Sequence, residues 1–146
     1  MRIRRAALAV VAIALLAAGC GGDRLTKEEY VAQADAICKE GNEKMLALAA
    51  PTRLEEVAEL AGQAIEIQEQ AVADLRALKP PEADEAILNE AYDLLDRQIE
   101  IGKQIQAAAE AGDQAKIQEL FPQIDSVNHQ AAQIAKDYGL VECGRE

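Results

Sequence analysis

Between Thr26 and Tyr138 apolar residues recur at alternating spacings of three and four, and breakers interrupt the pattern at only three places. Such spacing collects side chains on one face of an α-helix, so it dictates amphipathic helices; no segment alternates as a strand does. The first stripe runs through Tyr30, Ala34, Ile37, Gly41, Met45 and Leu48. Its start is marked by Thr26 with Glu29 three residues on, a capping box, and by Leu25, placed to staple onto Tyr30. Ala50, Pro51 and Thr52 end it, and Thr52 with Glu55 offers a second capping box. The second stripe extends from Leu54 through Val57, Ala61, Ala64, Gln68, Ala71 and Leu75 to Leu78, and stops at Pro80 and Pro81.

The third stripe, from Ile87 through Ala91, Leu94, Gln98, Ile101 and Ile105 to Ala108, ends at Gly112, and Asp113 is placed to cap a fourth helix. That last stripe joins Ile117, Leu120, Ile124, Val127, Ala131, Ile134 and Tyr138 and ends at Gly139. Pro122 lies inside it and predicts a kink or a break near residues 118–122. Four long helices joined by short connections must lie antiparallel to their neighbours. The expectation is all-α: an up-down-up-down four-helix bundle with a kinked last helix, spanning 26–146 as one domain.

The amino-terminal residues carry different information. Arg2, Arg4 and Arg5 precede an apolar run from Ala6 to Ala18, followed by Gly19, Cys20, Gly21 and Gly22. A basic start, a short apolar run and small residues form an export signal, and the run is too short to cross a bilayer comfortably as a helix. The sequence LLAAGC, ending at Cys20, resembles the lipobox of bacterial lipoproteins, with alanine in place of the more usual leucine three residues before the cysteine. The resemblance implies that residues 1–19 are removed, that Cys20 is lipidated, and that 20–25 serve as anchor and tether. It further implies a location on the extracytoplasmic face of the cell membrane, held there through covalent lipid. The chain has a formal net charge of −11, and loss of the first 19 residues would make it more acidic, which argues against nucleic acid as a partner.

With Cys20 assigned to lipid, Cys38 and Cys143 remain as an even pair in an exported chain, and one disulfide is the expected state. Metal ligation by the same two thiolates is the alternative, although neither has a CxxC partner or a nearby histidine. The segments EEYVAQADAICKEGNEKM, LKPP, AGD and YGLVECG are similar to small, largely uncharacterised exported helical proteins of high-GC Gram-positive bacteria. Those proteins share a cysteine in the first helix and another near the carboxyl end, which implies the same fold and bridge and no particular activity.

Catalytic constellations are hard to find. His129 is the single histidine and falls away from the apolar stripe beside Asp125, where a surface role is expected. There is no Glu-x-x-His pair for a di-metal bundle, no CxxCH for haem, and Ser126 stands without a nucleophile elbow. Met45 reads as core packing, and the acidic ridge of Glu55, Glu59, Glu66, Glu69, Asp93, Asp96 and Glu100 as a solvated face. No cofactor, no metal and no enzymatic activity are therefore expected.

Gln68 and Gln98 are the exceptions to an otherwise apolar interior. Either they satisfy each other or a buried water and fix helix register, or they line a polar spot that receives a small ligand. The leading functional expectation is a non-enzymatic, lipid-anchored structural or interaction module that contacts another envelope protein or a cell-wall component. The alternative is a bundle that binds a small ligand or metal near Gln68 and Gln98.

Overall fold

A computed structural model describes residues 24–145. The expected signal segment and Cys20 lie outside the described residues. The chain forms four long α-helices, α1 (Lys27–Leu46), α2 (Leu54–Ala77), α3 (Glu85–Glu110) and α4 (Gln114–Tyr138), with a short 3-10 turn over Glu82–Asp84 ahead of α3. They form the all-α four-helix bundle expected from the stripes. Among the described residues no helix is long and apolar enough to cross a membrane.

Local signals set most of the helix ends. Thr26 caps α1 in a complete capping box: its hydroxyl accepts from the Glu29 amide at 3.2 Å while the Glu29 carboxylate takes the Thr26 amide at 2.9 Å. Hydrogen bonding to Thr26 holds the Glu29 carboxyl below the usual carboxylate range. Asp113 caps α4 by accepting from the Lys116 amide at 2.9 Å. Gly112 and Gly139, with φ of 71° and 106°, end α3 and α4. Each makes the paired bonds of a Schellman motif, Asp113 to Ala108 and Gly112 to Ala109 in one, Leu140 to Ala135 and Gly139 to Lys136 in the other.

The start of α2 departs from the expectation. Its N-cap is Arg53, which makes no side-chain capping bond, and Thr52 instead donates both its amide and its hydroxyl to Glu56 at 2.8 and 2.9 Å. Arg53 also pairs with Glu56, so the carboxylate that organises this turn lies four residues past Thr52 rather than three. The α4 helix continues through Pro122 without a break. Proline there removes one amide donor from the ladder, and the residue four before it, Gln118, whose carbonyl loses that partner, is exposed to solvent.

The packing is uneven along the bundle. At one end Tyr30, Ala34, Leu75, Leu88, Tyr92 and Tyr138 bring all four helices into one buried cluster, with Leu25 packed against it. At the other, Ile101, Ile105, Ile117, Leu120 and Val127 form a second cluster from α3 and α4, with Leu54 and Val57 of α2 alongside. Helix α1 contributes nothing to that second cluster. It is 20 residues long against 24 to 26 for the others, and it stops at Leu46, which is 86% exposed. Helices α2 and α3 pack closely along their length through Ile65, Val72 and Ile99, and a Cβ at Gly102 would approach Ile65 to 3.3 Å.

Helices α1 and α4 are not in close contact along their backbones. They are joined by the segment after Gly139, where Cys143 forms a disulfide with Cys38, with Cα atoms 5.0 Å apart across 105 residues of sequence. A loop of that size is where a cross-link restricts the unfolded chain most. Replacing both cysteines, as Cys38→Ser with Cys143→Ser, is expected to lower the unfolding free energy by about 2–5 kcal/mol in urea denaturation; an unchanged midpoint would show that the strap holds without it.

Candidate functional site

Asp35 sits one turn before Cys38 on α1, and its carboxylate accepts hydrogen bonds from three successive amides of the carboxyl-terminal segment. Val141, Glu142 and Cys143 donate to it at 2.9, 2.8 and 3.2 Å. Asn42, two turns beyond Asp35, donates to the Glu142 carbonyl at 3.0 Å. Residues 140–145 thus form a strap from the end of α4 across to α1, held by charge-assisted hydrogen bonds as well as by the disulfide. Gly144 lies against α4 so closely that a Cβ would meet Lys136 at 2.7 Å and the Leu140 carbonyl at 2.9 Å. Sequence reasoning missed Asp35. The only signal was its spacing from Cys38, because its partners lie more than 100 residues away.

Behind the strap, between the two apolar clusters, lies a cavity of about 790 Å³ lined by all four helices. That is within the roughly 300–1,000 Å³ typical of small-molecule sites. It exists because α1 and α4 diverge: the strap bridges them at one level, and the space that α1 leaves uncovered remains open. Leu75, Leu88, Tyr92, Ala135 and Tyr138 line its lower part, and these belong to the four-helix cluster. Leu140 and Cys143 of the strap contribute a side wall.

Gln68 and Gln98, which sequence placed inside the apolar stripes, are both half-buried on the cavity wall. Register explains their proximity. Lys103 pairs with Glu69 at 2.8 Å and Ile65 faces Gly102, which puts the two glutamines at neighbouring levels of α2 and α3. Among the described residues neither carboxamide has a hydrogen-bond partner within the protein, and in particular they do not bond to each other. Asn128 of α4 joins the same wall, and its Oδ1 is buried without a partner. Met45 of α1 lines the cavity too, half-buried. Asp125, His129 and Arg145 are exposed and border the cavity, so they mark its mouth at the seam between α1 and α4.

The floor of the cavity is rigid and chemically saturated. The hydroxyl of Tyr92 donates to the Leu75 carbonyl at 3.0 Å, so in the 2.7 Å pair between Tyr30 and Tyr92 it is Tyr30 that donates. Tyr138 donates to Asp84 at 2.8 Å, and its ring stands edge-on to that of Tyr30 at 5.8 Å. Burial, then donation to Tyr92, pushes the Tyr30 phenol far above the ordinary tyrosine value. Tyr138 is pushed upward by burial and then by its bond to Asp84. Lys27 lies 4.3 Å from the centre of the Tyr138 ring and Arg76 lies 4.9 Å from that of Tyr92, and both cations pack the rings from outside.

The remaining residues singled out from sequence are dispersed. Arg76 pairs with Asp96 at 2.6 Å, Gln63 donates to Glu59, and Gln104 donates to Glu100, so several members of the acidic ridge are engaged on outer faces. Ser126 is exposed and accepts from Gln130 at 3.2 Å. No cluster of three or more histidine, cysteine, aspartate or glutamate side chains suited to a metal ion occurs among the described residues. No protein-family model, curated protein or solved structure matches the chain.

The tyrosine floor makes stability depend on alkaline pH with a definite sign. An acid whose folded value is raised stabilises the protein fully below its unfolded value and loses that contribution as pH climbs towards the folded one. Stability is expected to be level up to about pH 10 and to fall above it. Urea midpoints across the alkaline range check this, and Tyr30→Phe should flatten the fall; a decline beginning near neutrality would contradict it.

Proposed function

We propose that this chain is a lipid-anchored protein of the outer face of the cell membrane whose four-helix bundle binds a small molecule in its interior. The single observation that carries the reading is the cavity of about 790 Å³ on whose wall Gln68 and Gln98 stand without protein partners. The cleft opens at the seam between α1 and α4 and leaves Ala71, Val72, Leu88 and Leu95 of its apolar wall facing a solvent-accessible space, which favours an apolar occupant over water. Polar carboxamides in such a wall leave hydrogen-bonding capacity unmet, which a ligand or solvent must supply.

The other reading, a module that works by protein contact alone, would call for a contiguous apolar surface. Leu46, Phe121 and Val141 are the most exposed large apolar side chains, and they stand on three different segments, α1, α4 and the strap. The interior therefore supports binding more strongly than the surface supports docking. The anchor belongs to the proposal through the resemblance of LLAAGC to the lipobox. It would display the cavity at the membrane, with the bundle tethered through the residues from Cys20 up to Arg24 and Leu25, which are already held by the fold through Pro80, Glu85 and Lys79.

The neutral apolar dye N-phenyl-naphthylamine tests the binding reading. One site per chain and a fluorescence enhancement are expected for the folded protein. Ala131→Phe, which places a ring in the cavity, is expected to weaken the dye by about tenfold or more while the cooperative melt is kept. Absence of dye binding to the native protein would remove the proposal. The anchor is tested separately in cells: Cys20→Ala should release the protein from the membrane fraction and abolish labelling by radioactive fatty acid, whereas retained labelling would refute lipidation at Cys20.

A further inference from the structure

We propose that the cavity takes a neutral single-chain amphiphile, an alcohol, ester or amide with an aliphatic tail, seated with the tail on the tyrosine floor and the head at Gln68, Gln98 and Asn128. The inference rests on the binding reading above and names the ligand's chemistry.

Three observations carry it. First, the lining is polarised along the bundle axis. Its lower part is made by Leu75, Leu88, Tyr92 and Ala135, where the tyrosine hydroxyls already have partners and offer nothing to a polar group. The carboxamides gather at the other end: Gln68 and Gln98 lie at neighbouring levels, and Asn128 of α4 lines the same cavity. Along α3 the lining runs from Leu88 to Gln98, about 15 Å at 1.5 Å per residue, which suits an extended chain rather than a compact ring.

Second, the polar groups away from the exposed mouth, Gln68, Gln98 and Asn128, are uncharged, the charged lining residues Asp125 and Arg145 being exposed at the mouth. A carboxamide offers both a donor and an acceptor, which matches a hydroxyl, ester or amide head and gives an ionised head no counter-charge. Burying an unpaired charge is far more unfavourable than burying a hydrogen-bonded neutral group. Third, the cation at the mouth, Arg145, already pairs with Glu142 at 3.0 Å, and the chain as a whole carries a net charge of −11. Anionic heads such as carboxylate or phosphate are therefore opposed both at long range and inside the cavity.

Displacement of N-phenyl-naphthylamine by decanol, decanoate and decylamine at neutral pH tests the inference on the native full-length protein. Decanol is expected to displace the dye at concentrations about tenfold or more below those of either charged analogue. Gln68→Leu with Gln98→Leu should erase the advantage of decanol over the hydrocarbon decane; should that variant fail to fold, the head-group series on the native protein still decides. Equal or stronger displacement by decanoate or decylamine, or none by decanol while the dye binds, would overturn the neutral-amphiphile assignment and leave the binding reading standing. Failure of the dye itself to bind would instead defeat the binding reading on which it rests.

Discussion

The carboxylate of Asp35, accepting the amides of Val141, Glu142 and Cys143, is the interaction on which the remaining architecture depends. Helices α2, α3 and α4 hold one another by ordinary side-chain packing, but α1 and α4 are connected across an open seam. A carboxylate with three amide donors fixes the backbone of the strap in one geometry, and that geometry brings Cys143 onto Cys38. The disulfide then makes the closure covalent. Without this arrangement α1 would be held mainly by its contacts with α2 and by the tyrosine cluster at its first turns.

The same closure explains why the interior is not filled. A strap bridges two helices at a fixed separation, whereas direct packing would draw them together until their side chains interlocked. Because α1 ends at Leu46, the upper apolar cluster is built by α2, α3 and α4 without it. The lower cluster draws on all four helices. The cavity lies between these two regimes, and its polarity follows from position: saturated tyrosines below, unpartnered carboxamides above.

Much of this was legible in the sequence because it is encoded locally. The capping box at Thr26, the cap at Asp113 and the glycine stops at Gly112 and Gly139 each act within a few residues, and the four stripes gave the helices. Gln68 and Gln98 stood out because a polar side chain within an apolar stripe is an anomaly at any distance from its partners. What could not be read was non-local or one residue out of register. Thr52 pairs with Glu56 rather than Glu55, a difference of one position that no spacing rule decides. The deepest residues of α2 are Ile65, Val72 and Leu75, of which only Leu75 belongs to the expected stripe, while the stripe residues Gln68 and Ala71 line the cavity. Asp35 reads as an ordinary flank residue until the far end of the chain is folded onto it.

In the proposed function the interior of the bundle, and not its surface, is where this protein meets its ligand. The side-chain amide resonances of the glutamines test that claim most directly, because they sit on both sides of the helices. On titration with decanol, Gln68 and Gln98 should shift in saturable fashion, while Gln63 and Gln133, held on outer faces by Glu59 and Asp137, should stay in place. Shifts confined to the outer glutamines, or none at Gln68 and Gln98, would contradict it.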